Sequence, residues 1–336
     1  MSRRGVIAAL VLGAATAAGA TQVSFADEAR SAPPRMMAPD CDRNCLYGFM
    51  DQYLDALVHR DAMKVPWATN ARYTENNVEL SPGDGVWGTV TKLGSDMKLK
   101  LADPLNGQVG YFGIIEETRL HTSGFSLRLR IENHKISEAE VVILRMADFP
   151  PLLAGVNPFE KGKFEDRPLL DQTVPPEQRR PRERLISIAD GYFDTLQLND
   201  GTLFTEFDPK CDRFENGLRT TNNPAKPLGP SSALGCAEQF KAGVYRYDDR
   251  LRARRFPLID EERGLVLAAG FIDHSGRLGT YTLANGQTAE SPIRRPHSFC
   301  LMELFKIVDG KIRQIEAIFI TVPYNMPSPW IKPPGG

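Results

Sequence analysis

The chain has 336 residues, enough for two domains of ordinary size, and its 42% apolar and 25% charged residues are typical of a soluble globular protein. Its formal net charge is −1, so there is no overall field that would attract nucleic acid or an anionic membrane. Composition thus excludes functions that depend on strong overall charge, and we expect neither nucleic acid nor a membrane as a partner.

Residues 1–26 have the pattern of a cleaved signal peptide. Arg3 and Arg4 precede an apolar run over residues 5–20, and small residues such as Ala26 suit a cleavage site. A retained membrane anchor is the alternative, although the run is short and rich in alanine and glycine. We expect a secreted or periplasmic protein with a loose, polar lead over residues 27–40.

The five cysteines predict disulfides in such an oxidising compartment. Cys211 and Cys236 flank a loop rich in Asn, Pro, Gly and Ser, and a bridge between them would stabilise the fold by roughly 3 kcal/mol. Cys41 and Cys45 could pair locally, whereas Cys300 lies in a predicted strand and is expected to be a buried free thiol. No histidine lies at ligand spacing from a cysteine pair, so we predict no metal site.

Residues 41–146, the first half, contain the elements of one domain. Apolar residues recur at helical spacing over residues 45–60, which predicts an amphipathic helix. Alternating apolar residues then predict strands over residues 109–118, 125–131 and 136–144. Residues 147–181 are rich in proline and charge, which predicts a linker with little regular structure.

The pattern of the first half returns in residues 182–331, the second half. The repeated features, first copy then second, are YLDAL at 53–57 and YFDTL at 192–196, Glu75-Asn76 and Glu215-Asn216, and the closing hairpins at 135–140 and 311–316. A repeat of this length indicates two copies of one domain. We expect the copies to pack as an intramolecular pseudo-dimer.

The second closing hairpin raises a question about charge. Asp309-Gly310 separates two alternating apolar runs, which is the strongest short-range hairpin signal. A two-residue loop without irregularity would place Glu303 directly across from Glu316, and like charges facing each other in an apolar setting are unfavourable. Either a bulge offsets the register, or partners reach the carboxylates, or this face lines a wet pocket.

Three segments carry a resemblance to a known family. FKIVDGKIRQIEAI at 305–318 is very similar to the closing hairpin of the SnoaL-like branch of the nuclear-transport-factor-2-like superfamily. CDRFENGLRTTNNP at 211–224 and VPYNMPSPW at 322–330 resemble secreted tandem-domain proteins of that superfamily from fungi and bacteria.

The resemblance implies an α+β fold of two tandem cone-shaped domains. Each would be a strongly bent antiparallel sheet wrapped round N-terminal helices, with an apolar pocket opening at one end. Enzymes of the group generally need no cofactor, so none is expected. They place a carboxylate or histidine and a few hydrogen-bond donors in a dry cavity. The superfamily also contains pure binding modules, so the fold does not fix the function.

The candidate catalytic residues lie in the second half. Glu303 interrupts an alternating apolar strand where the first half has Leu127, and such a carboxylate suits a general base or an ion pair with Arg213. His297 precedes the same strand and could shuttle a proton together with Glu303. Tyr192 occupies a helical position from which related isomerases present a tyrosine, so it could stabilise an oxyanion. Packing in the core is the alternative for this tyrosine.

Further residues are candidates for substrate contacts. The Asp212-Arg213 pair could hold a substrate oxygen or form an ion pair beside a disulfide, and His274 lies in a predicted turn, where it could simply be solvated. Aromatic residues could line the cavities or fill the cores. The full set of candidates is Asp212, Arg213, His274, Phe214, Tyr247, Tyr324, Trp330, Tyr53 and Trp87.

Together these patterns favour a secreted, cofactor-independent enzyme. It would perform isomerase, dehydratase or lyase chemistry on a small, apolar, oxygenated molecule in the second half. A binding protein for a small hydrophobic or aromatic ligand is the alternative. A structural module with cavities filled by side chains is the third.

Overall fold

The structure, a computed structural model, describes residues 40–118, 122–148, 158–159, 164–225 and 229–331. The predicted signal peptide and nearly all of the predicted lead lie outside these residues. The described chain has an α+β fold with few helices and several sheets. No helix in this part of the chain is both long enough and apolar enough to cross a membrane.

The first half begins with a helix whose Asp42 side chain caps it by accepting from the Cys45 backbone N–H at 2.8 Å. Its apolar face is buried, as the helical spacing predicted. The elements are α1 (Arg43–Val58), β1 (Trp67–Glu75), β2 (Val78–Leu80), β3 (Val90–Leu93), β4 (Leu99–Asp103), β5 (Gln108–Glu117), β6 (Thr122–Glu132) and β7 (Lys135–Leu144). Strand order is β2-β1-β7-β6-β5-β3, and β4 also pairs with β5.

The second half repeats this arrangement after one short helix. The elements are α2 (Pro168–Asp171), α3 (Arg182–Leu198), β8 (Phe207–Glu215), β9 (Leu218–Arg219), α4 (Cys236–Ala242), β10 (Arg250–Asp260), β11 (Leu265–His274), β12 (Thr280–Thr282), β13 (Thr288–Glu290), β14 (His297–Val308) and β15 (Lys311–Val322). The main sheet has the order β10-β11-β14-β15-β8-β9, and β12 and β13 form a separate hairpin.

The two main sheets share one topology, because β9-β8-β15-β14-β11-β10 matches β2-β1-β7-β6-β5 followed by β3 and β4. Both sheets are mixed, which corrects the antiparallel prediction. β1 runs parallel to β7, and β8 runs parallel to β15. A strand that precedes the hairpin by a long connection can join it in either direction, and local periodicity does not distinguish the two.

Recurrent polar residues hold equivalent places in the two halves. The Asn76 side chain accepts from the Ile143 backbone N–H at 2.8 Å, and Asn216 accepts from that of Phe319 at 2.9 Å. Each asparagine has a positive φ at the end of its strand. The recurrent asparagine therefore fastens this strand to the closing hairpin in both halves.

The described part of the linker is less loose than predicted. It contains α2, and its Phe159, Phe164 and Leu170 side chains are completely buried in the shared core between the two sheets. Proline and charge obscured these single apolar residues, which have no periodicity of their own. The segment therefore contributes packing as well as connection.

The shared core joins the two halves. It is built from one face of β4, β5 and β7 and one face of β10, β11, β14 and β15. Two ion pairs at its edge are reciprocal: Arg43 at the start of α1 binds Asp260 at 2.6 Å, and Arg182 at the start of α3 binds Asp103 at 2.5 Å. Both halves belong to one compact unit.

The cysteines are arranged as predicted. Cys211 and Cys236 form a disulfide that ties β8 to α4, and Cys41 bonds to Cys45. Cys300 is a buried free thiol. Two disulfides suit an extracellular, oxidising environment.

Candidate active site

A cavity of about 500 Å³ lies in the second half, between α3 and the inner face of the main sheet. This size is common for small-molecule sites. Its walls are mostly apolar and come from the helix and from alternating positions of the strands. They include Leu196, Ile272, Phe299, Leu301 and Phe319.

The register of the sheet decides which carboxylates face the cavity. Glu303 pairs with Ala317 rather than with Glu316, because a β-bulge lies between Lys306 and Ile307. Glu316 pairs with Leu304 instead. A shift of one residue moves a side chain to the other face of a sheet, so the expected clash between the two glutamates does not occur.

Glu316 therefore points away from the cavity. Its carboxylate is fully buried and accepts from Arg167 Nε at 3.1 Å, on the face that builds the shared core. The first-half counterpart, Glu140, likewise binds Arg128 and Arg255. The recurrence of this glutamate in the two closing hairpins thus corresponds to ion pairs that stabilise the fold.

Glu303 lies on the cavity wall and is only 3% exposed. Burial is the main cause that raises the pKa of its carboxyl to about 8, and repulsion from Glu215 adds to the shift. The positive charge of Arg213 and a hydrogen bond with Tyr192 act in the opposite direction. At pH 7 the carboxyl is mostly protonated and can donate a proton.

The polar end of the cavity around Glu303 is held by Arg213. This buried guanidinium donates to Gln239 Oε1 at 2.6 Å, to the Tyr192 hydroxyl at 3.4 Å and to the Tyr245 hydroxyl. Its ion pair is with Glu215, at 3.5 Å. The predicted salt bridge of Arg213 is therefore made to Glu215, and Arg213 acts on Glu303 through space.

Tyr192 projects from α3 into this polar end and is 1% exposed. Burial raises the pKa of its hydroxyl well above the ordinary value, so the phenol stays neutral and remains a hydrogen-bond donor. A neutral donor beside a protonated carboxyl is an arrangement that can stabilise developing negative charge on a substrate oxygen.

A second polar cluster lies at the other end of the strand. His274 is paired with His297 across β11 and β14, and their rings stack with centroids 4.8 Å apart. His274 is 1% exposed, and its Nε2 lies 2.8 Å from Asp248 Oδ1. The predicted solvated turn is therefore wrong here, because β11 continues to His274, and the buried ring contacts Asp248.

His297 lines the cavity and has a defined tautomer when it is neutral. Its Nδ1 lies 2.9 Å from the Arg295 carbonyl oxygen, so Nδ1 carries the hydrogen and Nε2 is left as an acceptor. Burial lowers the pKa of the ring, and the neighbouring His274 adds to the shift.

His297 and Glu303 are both on the cavity face of β14, but they are far apart. Six residues of extended strand separate their Cα atoms by about 20 Å, and the register between them is regular. Direct proton transfer between the two side chains is thus excluded. The predicted His297–Glu303 pair is corrected to two separate groups at opposite ends of one cavity.

The other candidates are divided between the cavity and elsewhere. Tyr247 lines the cavity beside Asp248. Asp212 faces away and binds Arg219 at 2.9 Å, which corresponds to the ion-pair alternative. Phe214 packs under the Arg167 guanidinium at 3.9 Å.

The remaining aromatic candidates do not line this cavity. Tyr324 is 44% exposed, and Trp330 packs against the guanidinium groups of Arg72, Arg128 and Arg255. Tyr53 and Trp87 belong to the core of the first half, where their rings meet edge to face at 5.0 Å.

The equivalent position in the first half is filled. Leu127 pairs with Val141, which in turn pairs with Glu75, so apolar side chains occupy the row that contains Glu303 in the second half. Glu75 accepts from the Val86 backbone N–H at 2.6 Å and from the Tyr73 hydroxyl at 3.2 Å. The first half therefore has no counterpart of Glu303 in this row.

The sequence did not indicate Asp248 and Gln239, and the recurrence of Glu75 and Glu215 favoured a structural role for Glu215. Neither Asp248 nor Gln239 lies in a segment with clear apolar periodicity, so no pattern indicated that they point inward. For Asp248 the neighbouring tyrosines of the YRYDD segment were a signal of burial. Among the described residues, no group of three or more His, Cys, Asp or Glu side chains could hold a metal ion.

Comparison with known proteins gives one family match. The model of the Domain of unknown function (DUF8021) matches residues 178–319, which is less than half of the chain. This range contains the whole cavity wall except Asp148 and Thr321. No curated protein matches the chain.

Several solved structures are similar over part of the chain. A protein from Sphaerobacter thermophilus is 10% identical over 29% of this chain and 94% of its own, with a TM-score of 0.24. The putative hydroxylase AclR from Streptomyces galilaeus is 16% identical over 32% and 81%, with a TM-score of 0.25. A putative isomerase from Bacillus subtilis is 13% identical over 41% and 86%, with a TM-score of 0.26. TM-scores of this size carry neither fold nor activity over to this chain.

Proposed function

We propose that the second half is a cofactor-independent acid/base enzyme for a small, apolar, oxygenated molecule. Isomerisation, dehydration and lyase chemistry all require a proton donor and acceptor in a dry site. The observation that carries the proposal is Glu303, a buried carboxyl on an apolar cavity wall with a pKa of about 8. A carboxyl with this pKa can both donate and accept a proton near neutral pH.

The surroundings of Glu303 support this role. Tyr192 and Arg213 place neutral and cationic donors beside it, so charge that develops on a substrate oxygen would be stabilised without rearrangement. A carboxyl that served only to stabilise the fold would be expected to form a close ion pair, as Glu316 does with Arg167.

The test is proton exchange into a carbonyl compound. The protein is incubated with cyclohexenone in deuterated buffer at pH 7, and deuterium incorporation beside the carbonyl is followed by NMR. Exchange passes through an enol, which needs a proton donor at the carbonyl oxygen as well as a base at the carbon, so we expect Glu303→Gln to lower the rate by about 100-fold. Glu206→Gln, which removes an exposed carboxylate beside Lys311, is the control and should retain the rate. An unchanged rate in Glu303→Gln would remove this residue from the mechanism.

A ligand-binding protein without chemistry is the second candidate. The apolar walls around Phe299, Leu301 and Phe319 favour it, since they can hold a hydrophobic or aromatic molecule whatever its reactivity. Native mass spectrometry of the purified protein distinguishes the two. A retained, chemically unaltered compound together with no exchange activity supports the binding role.

We also propose that both halves are cone-shaped domains of the SnoaL-like branch, that residues 41–146 and 182–331 are their bounds, and that they pack as a pseudo-dimer. The shared topology of the sheets and the reciprocal pairs Arg43–Asp260 and Arg182–Asp103 support this. The proposed signal peptide at 1–26 would direct the chain to a secreted or periplasmic location. N-terminal sequencing of the exported protein tests that cleavage site.

A further inference from the structure

Glu215 stands in one row with Glu303 across the cavity face of the sheet. Glu303 pairs with Ala317 on β15, and Ala317 pairs with Glu215 on β8. Directly paired residues point to the same face, and all three line the cavity. The two glutamates are thus two strand spacings apart, about 10 Å between Cα atoms, with only a methyl group between them.

In the first half, the same row contains larger apolar side chains. Val141 takes the place of Ala317 and Leu127 the place of Glu303, so the first half lacks the small residue between two carboxyl groups. Glu75, the counterpart of Glu215, is held by the Val86 N–H, by the Tyr73 hydroxyl and by Arg145 at 3.1 Å. In the second half Arg213 replaces Tyr73, and the carboxylate of Glu215 is partly accessible from the cavity, with 22% of its side chain exposed.

The two carboxyls differ in their charge partners. Glu215 lies 3.5 Å from Arg213 Nε, so it has a cationic partner. Glu303 pairs with Ala317 across the hairpin and has the neutral Tyr192 as its hydrogen-bond neighbour. Paired carboxyls in contrasting environments are the usual way in which one site holds a base and an acid together.

Resting on the function proposed above, we propose that Glu215 is the general base and Glu303 the general acid for the dehydration of a β-hydroxy carbonyl compound bound over Ala317. Glu215 takes the proton from the carbon beside the carbonyl, and a carbon–carbon double bond forms as the C–O bond breaks. Glu303 gives its proton to the departing oxygen, which leaves as water. The proton on Glu215 is then released to solvent, and Glu303 is reprotonated from solvent.

The distance between Glu215 and Glu303 suits this substrate class. The base oxygen must reach the C–H hydrogen, and the acid must reach the departing oxygen on the neighbouring carbon. This arrangement requires about 7–8 Å between the two carboxyl oxygens when each hydrogen bond is of ordinary length. Two flexible glutamates with Cα atoms about 10 Å apart can bracket such a unit. Tyr192 and Arg213 line the same cavity, and in this proposal their donors stabilise the charge that develops on the carbonyl oxygen.

Two probes separate the base from the acid. The first is 5-nitrobenzisoxazole, which opens to a coloured phenolate when a base removes its C–H proton and the N–O bond breaks. The second is 4-hydroxy-4-phenylbutan-2-one, whose dehydration gives an absorbing enone. We expect Glu215→Gln to lower both rates by about 100-fold, and Glu303→Gln to lower only the dehydration rate to that extent.

Two further variants guard against misfolding as the cause. Glu215→Asp keeps the carboxylate and should restore part of both rates, whereas Ala317→Val copies Val141 of the first half and should lower dehydration at least tenfold with all titratable groups in place. Near-UV circular dichroism checks the fold of each variant, and Glu206→Gln is the surface control.

Each outcome decides the assignment of Glu215. Equal rates for the wild type and Glu215→Gln, including no rate from either, overturn it. Loss of dehydration in Glu303→Gln with full activity in Glu215→Gln also overturns it, yet leaves the proposed acid/base function standing. Loss of activity on both probes in Glu215→Gln with partial rescue by Glu215→Asp supports it.

Discussion

At the scale of single residues, folding changes how strongly the Glu303 carboxyl binds its proton. In the unfolded chain this carboxyl has an ordinary pKa near 4.5, and in the folded protein its pKa is about 8. The folded state therefore binds more protons between these values, and folding stability falls as pH rises through this window. The ionisable residues that share the cavity lining with it are Asp148, Tyr192, Arg213, Glu215, Tyr245, Tyr247, Asp248, Arg295 and His297.

Replacing Glu303 by Gln should flatten this dependence on pH. We expect the free energy of unfolding of the wild type to fall by up to about 1.4 kcal/mol per pH unit from this group within the window, and the variant to lack that contribution. Urea denaturation at pH 5, 6.5 and 8 measures it, with Glu206→Gln as control. Parallel pH profiles for wild type and Glu303→Gln would contradict a raised pKa.

Glu303 could be predicted from the sequence because it interrupts an alternating apolar strand, where a single carboxylate is easy to recognise. Its relation to Glu215 could not, because the partner comes from β8, more than eighty residues earlier, through a parallel pairing that periodicity does not encode. His274 was misplaced for a similar reason, since Asp248, which buries it, comes from an irregular segment.

At the scale of elements, the bulge in the β14–β15 hairpin separates the two glutamate roles. The Ile307 backbone N–H at the bulge donates to the Gly264 carbonyl, and Ile131 does the same to Gly107 in the first half. Both glycines have φ of +60°. A Cβ at Gly264 would collide with the carbonyl oxygen of Ile307.

We therefore expect Gly264→Ala to destabilise the protein by about 1–3 kcal/mol, because alanine is strained at this φ and meets the backbone at the bulge. Gly279→Ala is the matched control, since a Cβ there meets nothing within 4 Å, and it should change stability by less than about 0.5 kcal/mol. Chemical denaturation measures both. Equal stability of the two variants would mean that the bulge tolerates a side chain at Gly264.

The Cys211–Cys236 disulfide is the element that secures the polar end of the cavity, because it ties β8, with Arg213, to α4, with Gln239. We expect the double substitution of both cysteines by serine to cost about 3 kcal/mol of unfolding free energy, since the closed loop spans 25 residues. The same change at Cys41 and Cys45, four residues apart, should cost roughly half as much. A larger loss at the shorter loop would contradict this chain-entropy account.

At the scale of the whole molecule, the two halves share the core between their sheets and are expected to unfold together. Asp103 is buried and binds Arg182 across the halves. Asp103→Asn should lower stability by about 3 kcal/mol, because it leaves a largely buried guanidinium without its counter-charge. Differential scanning calorimetry should show one transition that moves as a whole. Two transitions, of which only one moves, would show independent domains.

The shared topology of the two halves could be predicted because motif order repeats along the sequence, and the helices at 43–58 and 182–198 follow their apolar spacing. The contribution of the linker could not, since Phe159 and Phe164 acquire their burial only when both sheets are in place. The arginine-rich β10 was missed as well, because its charges find their partners in α3, in β7 and in its neighbouring strand, and not in any local pattern.

The most direct test is the titration of Glu303 itself. Infrared difference spectra of the wild type and Glu303→Gln, recorded from pH 5 to pH 10, isolate the carboxyl stretch of this one side chain. Because burial raises the pKa of the Glu303 carboxyl, we expect a protonated carboxyl band at pH 7 that disappears with a midpoint near pH 8. A band already absent at pH 6 would show an ordinary ionised glutamate and would remove the basis for acid/base chemistry at this site.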